Sequence, residues 1–480
     1  MSLRRSLSKL TARKPIDSHL KYQFKLSDRF RWIFCQLEAL RHCLPPSVRR
    51  TLKELPESLD ETYGRILREI KKPNRGHARR VLECLVVAIR PLRVTELAEV
   101  LAVDFDDAEG MPKLNADWRW EDKEQALLIA CSSLIAIVGA GDSRVVQFSH
   151  FSVKEFLTSS RLATASGETS DYHIDLEPAH TTLAQACLCV LLRTRDNDDG
   201  RTPKDHPLAR YAARHWTTHA QFEDASSRLQ KGMEYLFDPD KPHFEMWRML
   251  YDIDTSPGHP STFFLFTPGV KSVAAPLYYA ALCGFHDLVE HLIIKHSQDV
   301  NADGGWYIRP LLAALAGKHF QTAELLRHNG AGGADLHSWG YNSSTPLHSA
   351  AYYGDLEVVQ KLIEYDVDIN AAGSDGRTAL HFASGDHDTM NLSDPRPSIL
   401  RLLLAHGADV NARAENSSTP LHSASRFATP EVVRVLLEHG ADVKAEDNGG
   451  RTALQVAERN ESNRDEVMKL LLEHETNVTF

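Results

Sequence analysis

The nine-residue stretch NSSTPLHSA occurs twice in this chain, as Asn342–Ala350 and as Asn416–Ala424. Shorter versions stand nearby: TALH at Thr378–His381, TALQ at Thr452–Gln455, and the weaker APLY and RPLL upstream. The phrases share a leucine, and the spacings between successive leucines are 34, 36, 33, 41 and 33 residues, for Leu277, Leu311, Leu347, Leu380, Leu421 and Leu454. A period near 33 residues indicates a stacked repeat protein.

The offset of 74 residues between the two identical stretches equals two periods of 33 plus eight residues. The extra residues fall within GDHDTMNLSDPRPS, residues 385–398, which is polar and contains two prolines. Such a composition is typical of an exposed loop. We therefore predict an insertion between the two helices of the fourth repeat.

Each letter of the phrase has a physical function in a helix pair. Thr345 is a good N-cap, and Pro346 suits the first helical turn because its missing N–H is not needed there. Leu347 lies on the same helical face as two alanines, and glycine suits the left-handed position after a helix. The predicted structural positions are Thr345, Pro346, Leu347, His348, Thr378, Leu380, His381, Gly407, Thr419, Pro420, Leu421, His422 and Gly440.

This period and phrase resemble the ankyrin repeat. The resemblance implies six stacked units, at residues 272–304, 305–341, 342–374, 375–415, 416–448 and 449–480. It also implies that His348, His381 and His422 make structural hydrogen bonds and do not bind metal. One such unit cannot bury its own apolar face, so neighbouring units must stack. The polar final unit is suited to cap the array.

The half before the repeats has mainly helical periodicity. Three predicted helices, near residues 77–90, 93–101 (capped by Thr95) and 121–133, precede two β-rich runs around GAGDS, residues 139–143. Three helices followed by a hairpin is the element order of a winged helix. We divide this half into a disordered basic tail (1–27), a helical segment (28–76), the winged helix (77–162) and a helical linker (163–271). The predicted fold class is mainly α.

Phrases such as LPESLDETYGRIL (residues 55–67), VQFSHFSVKEFL (146–157) and YAARHWTTHA (211–220) resemble the C-terminal portion of fungal NACHT–ankyrin proteins. Their winged helix is named after the GPI inositol-deacylase family. The resemblance implies a signalling ATPase ancestry, with residues 28–76 as the end of a NACHT module. It also makes His150 equivalent to a histidine that contacts nucleotide in intact relatives.

The chain departs from that plan because it lacks a phosphate-binding loop. Such a loop ends in Gly-Lys followed by Ser or Thr. The sequence has one Gly-Lys pair, Gly317–Lys318, which lies inside a repeat and precedes His319. We therefore expect no ATPase activity and no bound cofactor. The chain is expected to be a relative whose nucleotide domain was lost or is encoded elsewhere.

Other signatures of chemistry are missing as well. No GxSxG nucleophile elbow is present, so the deacylase name does not imply hydrolysis. The stretch DFDDAEG, residues 104–110, lacks the spacing of a calcium loop. Cys187 and Cys189 lie in an apolar helical stretch and fit a core better than a metal site. We expect no catalytic or metal-binding residue.

Charge and cysteine content bear on partners and compartment. The net charge is −10, but residues 1–80 carry +12, which leaves −22 for the rest. That acidity disfavours nucleic acid, and residues 79–131 carry 7 basic against 11 acidic side chains. Seven cysteines without a CxxC pair fit free thiols in a reducing compartment. We expect a cytoplasmic or nuclear protein without a membrane span. The basic N-terminus fits a disordered tail better than a mitochondrial targeting peptide.

Positions that stacking does not require are the candidates for binding. They lie on hairpin tips and first helices, and they are rich in aromatic residues and arginine, which anchor interfaces. They are Trp306, Tyr307, Trp339, Tyr341, Tyr352, Tyr353, Arg377, Arg426, Phe427, Glu446 and Asp447. Trp306 and Trp339 form the leading candidate patch, which would equally suit a junction with the upstream half.

The favoured function is a non-enzymatic adaptor or sensor whose repeats bind another protein. Two alternatives stay open at this point. One is a switch that still responds to nucleotide, with the ATPase part lost or supplied in trans. The other is a regulator linked to DNA through the winged helix. The sequence does not indicate the oligomeric state.

Overall fold

The computed structural model describes residues 58–105, 112–165, 167–193, 206–255, 274–305, 307–331, 345–385, 396–460 and 463–477. The chain divides into two compact units, Met1–Ile253 and Asp254–Phe480. Both are mainly helical, which confirms the predicted fold class. The predicted tail (1–27) and most of the helical segment (28–76) lie outside the described residues.

The N-terminal unit begins with α1 (Leu59–Glu69), which Ser58 caps by accepting the Glu61 N–H at 3.1 Å. The winged-helix elements follow in chain order. They are α2 (Arg75–Val87), β1 (Leu92–Arg93), α3 (Val94–Leu101), β2 (Val103–Asp104), β3 (Lys113–Leu114), α4 (Lys123–Cys131), β4 (Ile135–Val138), β5 (Val145–Phe148) and α5 (Phe151–Leu157).

The predicted hairpin is present, because β4 and β5 pair antiparallel from Ile135↔Phe148 to Val138↔Val145. The short strand β1 adds a third member by pairing with β5, so the sheet order is β1-β5-β4. The start of α3 differs from the prediction: Thr95 lies inside the first turn, and Glu96 instead accepts the Arg93 N–H at 2.8 Å. The Glu96 carboxylate also binds Arg90.

In the described part of the N-terminal unit, five further α-helices follow: α6 (Ser160–Ala163), α7 (Leu176–Leu191), α8 (Ala209–Ala220), α9 (Ala225–Leu236) and α10 (His243–Leu250). Helix α7 packs on α2 of the winged helix and on α8 and α9. Trp216 and Trp247 are fully buried, with ring centroids 5.4 Å apart and nearly perpendicular rings. The Trp247 indole N–H is satisfied by the Ala213 carbonyl at 2.9 Å.

The described residues of the C-terminal unit form six helix pairs. They are α11 (Pro276–Cys283) with α12 (His286–His296), α13 (Pro310–Ala316) with α14 (Phe320–His328), α15 (Pro346–Tyr353) with α16 (Leu356–Glu364), α17 (Ala379–Ala383) with α18 (Arg396–Ala405), α19 (Pro420–Phe427) with α20 (Pro430–Glu438), and α21 (Ala453–Ala457) with α22 (Arg464–Asn477). The leucines of the repeated phrase are buried in the first five units, and Leu454 of the sixth unit is half-buried.

The helices of each kind stack in a row. Among the first helices, α11 packs on α13, and α15, α17, α19 and α21 pack in succession. The second helices α16, α18, α20 and α22 do the same. Each helix thus shelters the apolar face of the next, as a repeat array requires. The inserted residues 386–395 lie outside the described residues, and α17 is correspondingly short.

Backbone hydrogen bonds also join neighbouring hairpin tips. The Glu415 N–H donates to the Asp375 carbonyl at 2.9 Å, and the Asn448 N–H donates to the Asn416 carbonyl at 2.9 Å. This approach requires glycine at position 376, where φ is +72° and a Cβ atom would lie 2.7 Å from the Glu415 nitrogen. Tip packing therefore depends on one residue without a side chain.

We expect Gly376→Ala to lower the free energy of unfolding by about 2 kcal/mol, because it adds a steric clash to left-handed backbone strain. Gly407→Ala is the matched control: its φ is +92°, but nothing lies within 4 Å of an added Cβ. It should cost about 1 kcal/mol. Urea unfolding of the full chain measures both, and equal losses would show that the tip contact contributes nothing.

Candidate functional site

The repeat histidines join the start of a first helix to a backbone carbonyl further along the array. The carbonyl lies in the next repeat for His381 and His422 and in the same repeat for His348. The Thr378 N–H donates to His381 Nδ1 at 3.1 Å, so Nε2 carries the proton and donates to the Ser418 carbonyl at 3.2 Å. His422 repeats this arrangement between Thr419 and the Arg451 carbonyl, and His348 between Thr345 and the Ala371 carbonyl. With both ring nitrogens engaged, these buried histidines stabilise the stack.

Burial lowers the pKa of His348 and lowers that of His381 to about 4. Both rings are therefore neutral at pH 7, as their hydrogen bonds require, since Nδ1 must accept. In the last repeat Gln455 takes the capping part of this role and accepts the Thr452 N–H at 3.0 Å.

A second set of hydrogen bonds between repeats, made by asparagine side chains, was not predicted from the sequence. The Asn370 side chain accepts the Asp409 N–H at 2.8 Å and donates to the Gly407 carbonyl at 3.0 Å. Asn411 bridges Asp442 and Gly440 in the same way, at 2.8 and 3.2 Å. The signal was the asparagine that recurs before alanine in VNA and INA. In the fifth repeat Lys444 stands at that position.

The predicted binding residues other than Asp447 divide into three groups. Trp306, Trp339 and Tyr341 lie outside the described residues, so the predicted tryptophan patch has no structural description. Tyr353 and Phe427 are 42% and 39% exposed, and Arg426 and Glu446 are exposed too. Tyr352, Tyr307 and Arg377 are half-buried.

Asp447, which was predicted to be exposed, is instead buried, with only 9% of the residue accessible. It accepts the N–H groups of Gly449 and Arg451 and pairs with the Arg451 guanidinium at 2.7 Å. The hydrogen bonds from Arg451 hold the pKa of Asp447 at about 2. These hydrogen bonds and the ion pair stabilise the hairpin.

Several of these residues lie on the first helices α15, α17 and α19 and contact one another in two groups. The rings of Tyr352 and Tyr353 meet edge to face at 5.1 Å, and Tyr352 also meets Phe382 of α17 at 6.2 Å. On α19 the Arg426 guanidinium lies 4.7 Å above the Phe427 ring. We call Tyr352, Tyr353, Phe382, Arg426 and Phe427 the first-helix surface. Exposed aromatic and arginine side chains of this kind are favoured interface anchors.

In the winged helix, His150 and Ser152 are close enough to suggest a Ser–His pair. Ser152 Oγ lies 2.6 Å from His150 Nδ1 and 2.9 Å from the Tyr63 hydroxyl. However, the Ser152 N–H also donates to His150 Nδ1 at 3.3 Å, which makes His150 the N-cap of α5. Ser152 is buried. The geometry is that of a helix cap.

We expect His150→Ala to destabilise the chain by about 1 kcal/mol through loss of this cap. His150→Asn should recover most of that loss, because asparagine is a strong N-cap residue. Thermal unfolding of the two variants and the wild type measures the difference. Equal unfolding temperatures for wild type and His150→Ala would contradict a capping role.

The Gly317–Lys318 pair joins α13 to α14 and does not open a phosphate-binding turn. The Lys318 ammonium lies 3.1 Å from Asp355 and 3.6 Å from Glu357 of the third repeat. The hydrogen bond to Asp355 raises the pKa of Lys318. This lysine therefore connects two repeats. None of the helices that the structure describes is both long and apolar enough to cross a bilayer.

Comparison with known proteins identifies a winged-helix domain in the first half of the chain and ankyrin repeats in the second. Residues 67–175 match the model of the GPI inositol-deacylase winged helix domain. Residues 330–383 match ankyrin repeats in many copies, and residues 390–480 match ankyrin repeats in three copies. The predicted boundaries at 77, 162 and 272 stay predictions.

Several curated proteins are similar over part of the chain. An azaphilone pigments biosynthesis cluster protein L of Monascus ruber is 30% identical over 294 residues, 58% of this chain and 61% of that protein. The mouse B-cell lymphoma 3 protein homolog is 31% identical over 31% of this chain and 32% of its own length. Human Rabankyrin-5 is 34% identical over 18% of this chain and 7% of its own. The chain therefore spans less than two thirds of each relative.

Ankyrin repeats are protein-interaction modules, and the first-helix surface lies on those repeats. The chain thus joins a winged-helix domain of the GPI inositol-deacylase type to a C-terminal array of ankyrin repeats.

Proposed function

We propose that this protein is a non-enzymatic adaptor or sensor that binds another protein through the first-helix surface. The observation that supports the proposal is the exposure of Tyr353, Arg426 and Phe427. These residues lie on first helices whose other faces pack against neighbouring helices of the array. The recurring histidines of the repeats, His348, His381 and His422, are engaged in structural hydrogen bonds. In the described winged helix, the His150–Ser152 pair is a helix cap.

The test is affinity capture from an extract of the cells that express the protein, with the full chain immobilised. A surface variant carries Tyr353→Ala, Arg426→Ala and Phe427→Ala. The matched control carries Gln360→Ala, Arg401→Ala and Arg434→Ala, three exposed positions on second helices. Partners should be lost with the surface variant and kept with the control. Equal capture by both would overturn the assignment of this surface.

The nucleotide-responsive alternative is separated by thermal unfolding with ADP and with ATP. We expect no stabilisation, since His150 Nδ1 is held by Ser152 and Lys318 by Asp355. A shift with either nucleotide would support the switch instead. DNA binding is separated by salt-dependent retention on duplex DNA. We expect none, because exposed Glu121 and Asp122 precede helix α4.

We also propose a cytoplasmic location, with the nucleus as the other candidate. Cys84, Cys131, Cys187, Cys189 and Cys283 are free and buried. Burial raises the pKa of Cys131 and Cys189 to about 12, so these thiols are unreactive core residues. A fluorescent fusion of the full chain, imaged in the expressing cell, checks the location.

A further inference from the structure

Two exposed tryptophans lie close together in the winged helix. Trp118 and Trp120 are 42% and 45% exposed, although tryptophan is on average a strongly buried residue type. They lie between β3 and α4. Two residues of chain span at most about 7 Å, so the two indoles belong to one local surface. Exposed indoles are favoured anchors at protein interfaces.

The residue between the tryptophans fixes this loop to the core. Arg119 is half-buried, and its guanidinium donates to Glu99 Oε1 of α3 at 2.9 Å. His206 Nδ1 lies 2.8 Å from the same oxygen, and Glu99 is 5% exposed. Before the tryptophans, the Asn115 N–H donates to the Ala102 carbonyl at 2.8 Å. The loop is therefore held at two points, which reduces the entropy that its indoles lose on binding.

The surroundings of the two indoles are acidic. Asp117, Glu121 and Asp122 are exposed. Residues 104–122 contain seven acidic and two basic side chains. A ring face attracts the cation of a lysine or arginine, and neighbouring carboxylates attract the same group. The surface therefore favours a ligand that is rich in lysine and arginine.

The cations near the loop do not remove this preference. Arg119 is paired with Glu99, and Lys113 lies opposite Asp104 in the pairing of β2 with β3. Lys123, the next basic residue along the chain, is half-buried at the start of α4. Both cations within the acidic stretch are thus offset by carboxylates of their own, and the exposed rim keeps an excess of negative charge.

The chain itself contains a segment of the opposite charge. Residues 1–27, which lie outside the described residues, hold seven basic side chains and one acidic side chain. Residues 28–57 connect them to α1, and a stretch of that length spans about 45 Å as a helix and about 100 Å when extended. A unit of the size of Met1–Ile253 has a radius of gyration of about 18 Å, so the segment can reach any part of it. Covalent attachment also raises its effective concentration above that of a separate partner.

We propose that the basic N-terminal segment, residues 1–27, binds the tryptophan loop, residues 117–122, of the same chain. Its lysine and arginine side chains lie on the faces of Trp118 and Trp120 and pair with Asp117 and Glu121. The contact covers the exposed indoles of the winged helix. It involves the N-terminal unit alone, so it is independent of partner binding by the repeats.

The first test measures the segment as a separate peptide. The receptor is the full-length chain with its own segment neutralised, so that glutamine replaces Arg4, Arg5, Lys9, Arg13, Lys14, Lys21 and Lys25. A fluorescein-labelled peptide of residues 1–27 is titrated with this receptor and followed by anisotropy. We expect it to bind at least about tenfold more tightly than the same peptide with the seven glutamines, with affinity falling as salt rises. Equal affinities of the two peptides would show that the basic side chains contribute nothing, and the proposal would be wrong.

Substitutions in the receptor locate the binding surface. Trp118→Ala with Trp120→Ala should weaken peptide binding at least about fivefold, because the cations lose both ring faces. Asp117→Asn with Glu121→Gln should weaken binding by a similar factor and reduce its dependence on salt. All four side chains are exposed, and Arg119 is retained, so we expect both variants to fold.

The matched control is Leu176→Ala with Met249→Ala in the same receptor. These substitutions remove two large apolar side chains of the N-terminal unit that are 43% and 81% exposed. The control should leave the affinity for the peptide unchanged, and unfolding midpoints verify that every variant folds. An equal loss of affinity in the control, or no loss in the two loop variants, would overturn the proposal.

Cross-linking tests the contact in the unmodified full chain. A carbodiimide joins lysine amines to carboxylates that they touch, and mass spectrometry maps the links. We expect links from residues 1–27 to Asp117 and Glu121, and few to Glu223 and Asp224, an exposed acidic pair between α8 and α9. A mixture of isotope-labelled and unlabelled chains distinguishes links within one chain, which support the proposal, from links between chains, which would place the segment on a second copy and contradict it. Links spread evenly over both acidic pairs would contradict it as well.

Discussion

Lowering the pH from 7.5 to 4.5 should destabilise the N-terminal unit by about 3 kcal/mol, through His219 alone. His219 of α8 is fully buried. Its Nδ1 lies 2.8 Å from Nδ1 of His180 on α7, and its Nε2 lies 2.8 Å from the Tyr211 hydroxyl. The Ile89 N–H donates to that hydroxyl at 3.2 Å. The chain of polar groups therefore links the turn after α2 to α8 and α7.

The sign follows from proton binding. Burial, with smaller effects of His180 and His215, lowers the pKa of His219 from 6.5 to about 3. Between these values the unfolded chain binds a proton that the folded chain does not. The free energy of unfolding therefore falls as the pH falls. The contribution is fully present above about pH 6.5 and is lost progressively toward pH 3.

The other histidines near His219 also have lowered pKa values, so their protonation destabilises the folded chain as well. Burial lowers the pKa of His180, and the cation of Lys154 lowers it further. His215 has a pKa of about 4, lowered by burial and by Arg214 and Arg90, against the opposing effect of Glu96. Two facing Nδ1 atoms can share one proton but not two. Double protonation would therefore separate α7 from α8.

Urea unfolding followed by tryptophan fluorescence, between pH 7.5 and 4.5, measures this dependence. Replacing His219 with asparagine should lower stability at pH 7.5 but flatten the pH dependence, which a purely steric defect would not do. His328→Gln, at an exposed position on α14, is the control and should leave the slope unchanged. A parallel slope in wild type and His219→Asn would contradict the prediction.

This network shows why part of the structure could not be read from the sequence. His180 and His219 are 39 residues apart and belong to helices whose mutual packing no local pattern fixes. The cluster of Glu99, Arg119 and His206 is similar: Glu99 accepts hydrogen bonds at 2.9 and 2.8 Å from residues 20 and 107 positions away. Long-range polar contacts depend on tertiary geometry, whereas hydrophobic periodicity depends on local geometry.

The repeats were predictable for the opposite reason. The residues that build each unit recur with the repeat period, so Leu347, Gly407 and the turn at Asp366 follow from period and phrase. Asp366 takes the left-handed position, with φ of +60°. The hairpin β4–β5 was predictable from alternation around two glycines. Strand β1 could not be predicted in this way, because its two residues, Leu92 and Arg93, are too few to show an alternating pattern. The surface was only partly predictable, since exposure of Asp447 depends on the Arg451 side chain.

Truncating His381 to alanine should lower the free energy of unfolding of the C-terminal unit by about 3 kcal/mol. The substitution leaves the buried Thr378 N–H and the Ser418 carbonyl without their partner and removes a ring that is 1% exposed. The loss should exceed that of an ordinary helix cap, because the histidine joins two repeats and not only two turns of one helix.

The chain itself supplies the informative control for this substitution. Gln455 performs the capping half in the sixth repeat, where it accepts the Thr452 N–H at 3.0 Å. His381→Gln should therefore keep the bond from the Thr378 N–H and lose mainly the bond to Ser418, at about half the cost of alanine. Urea unfolding of the full chain and hydrogen exchange of α17 and α19 measure both variants. If glutamine is as destabilising as alanine, the ring's packing, and not its two hydrogen bonds, holds these repeats together.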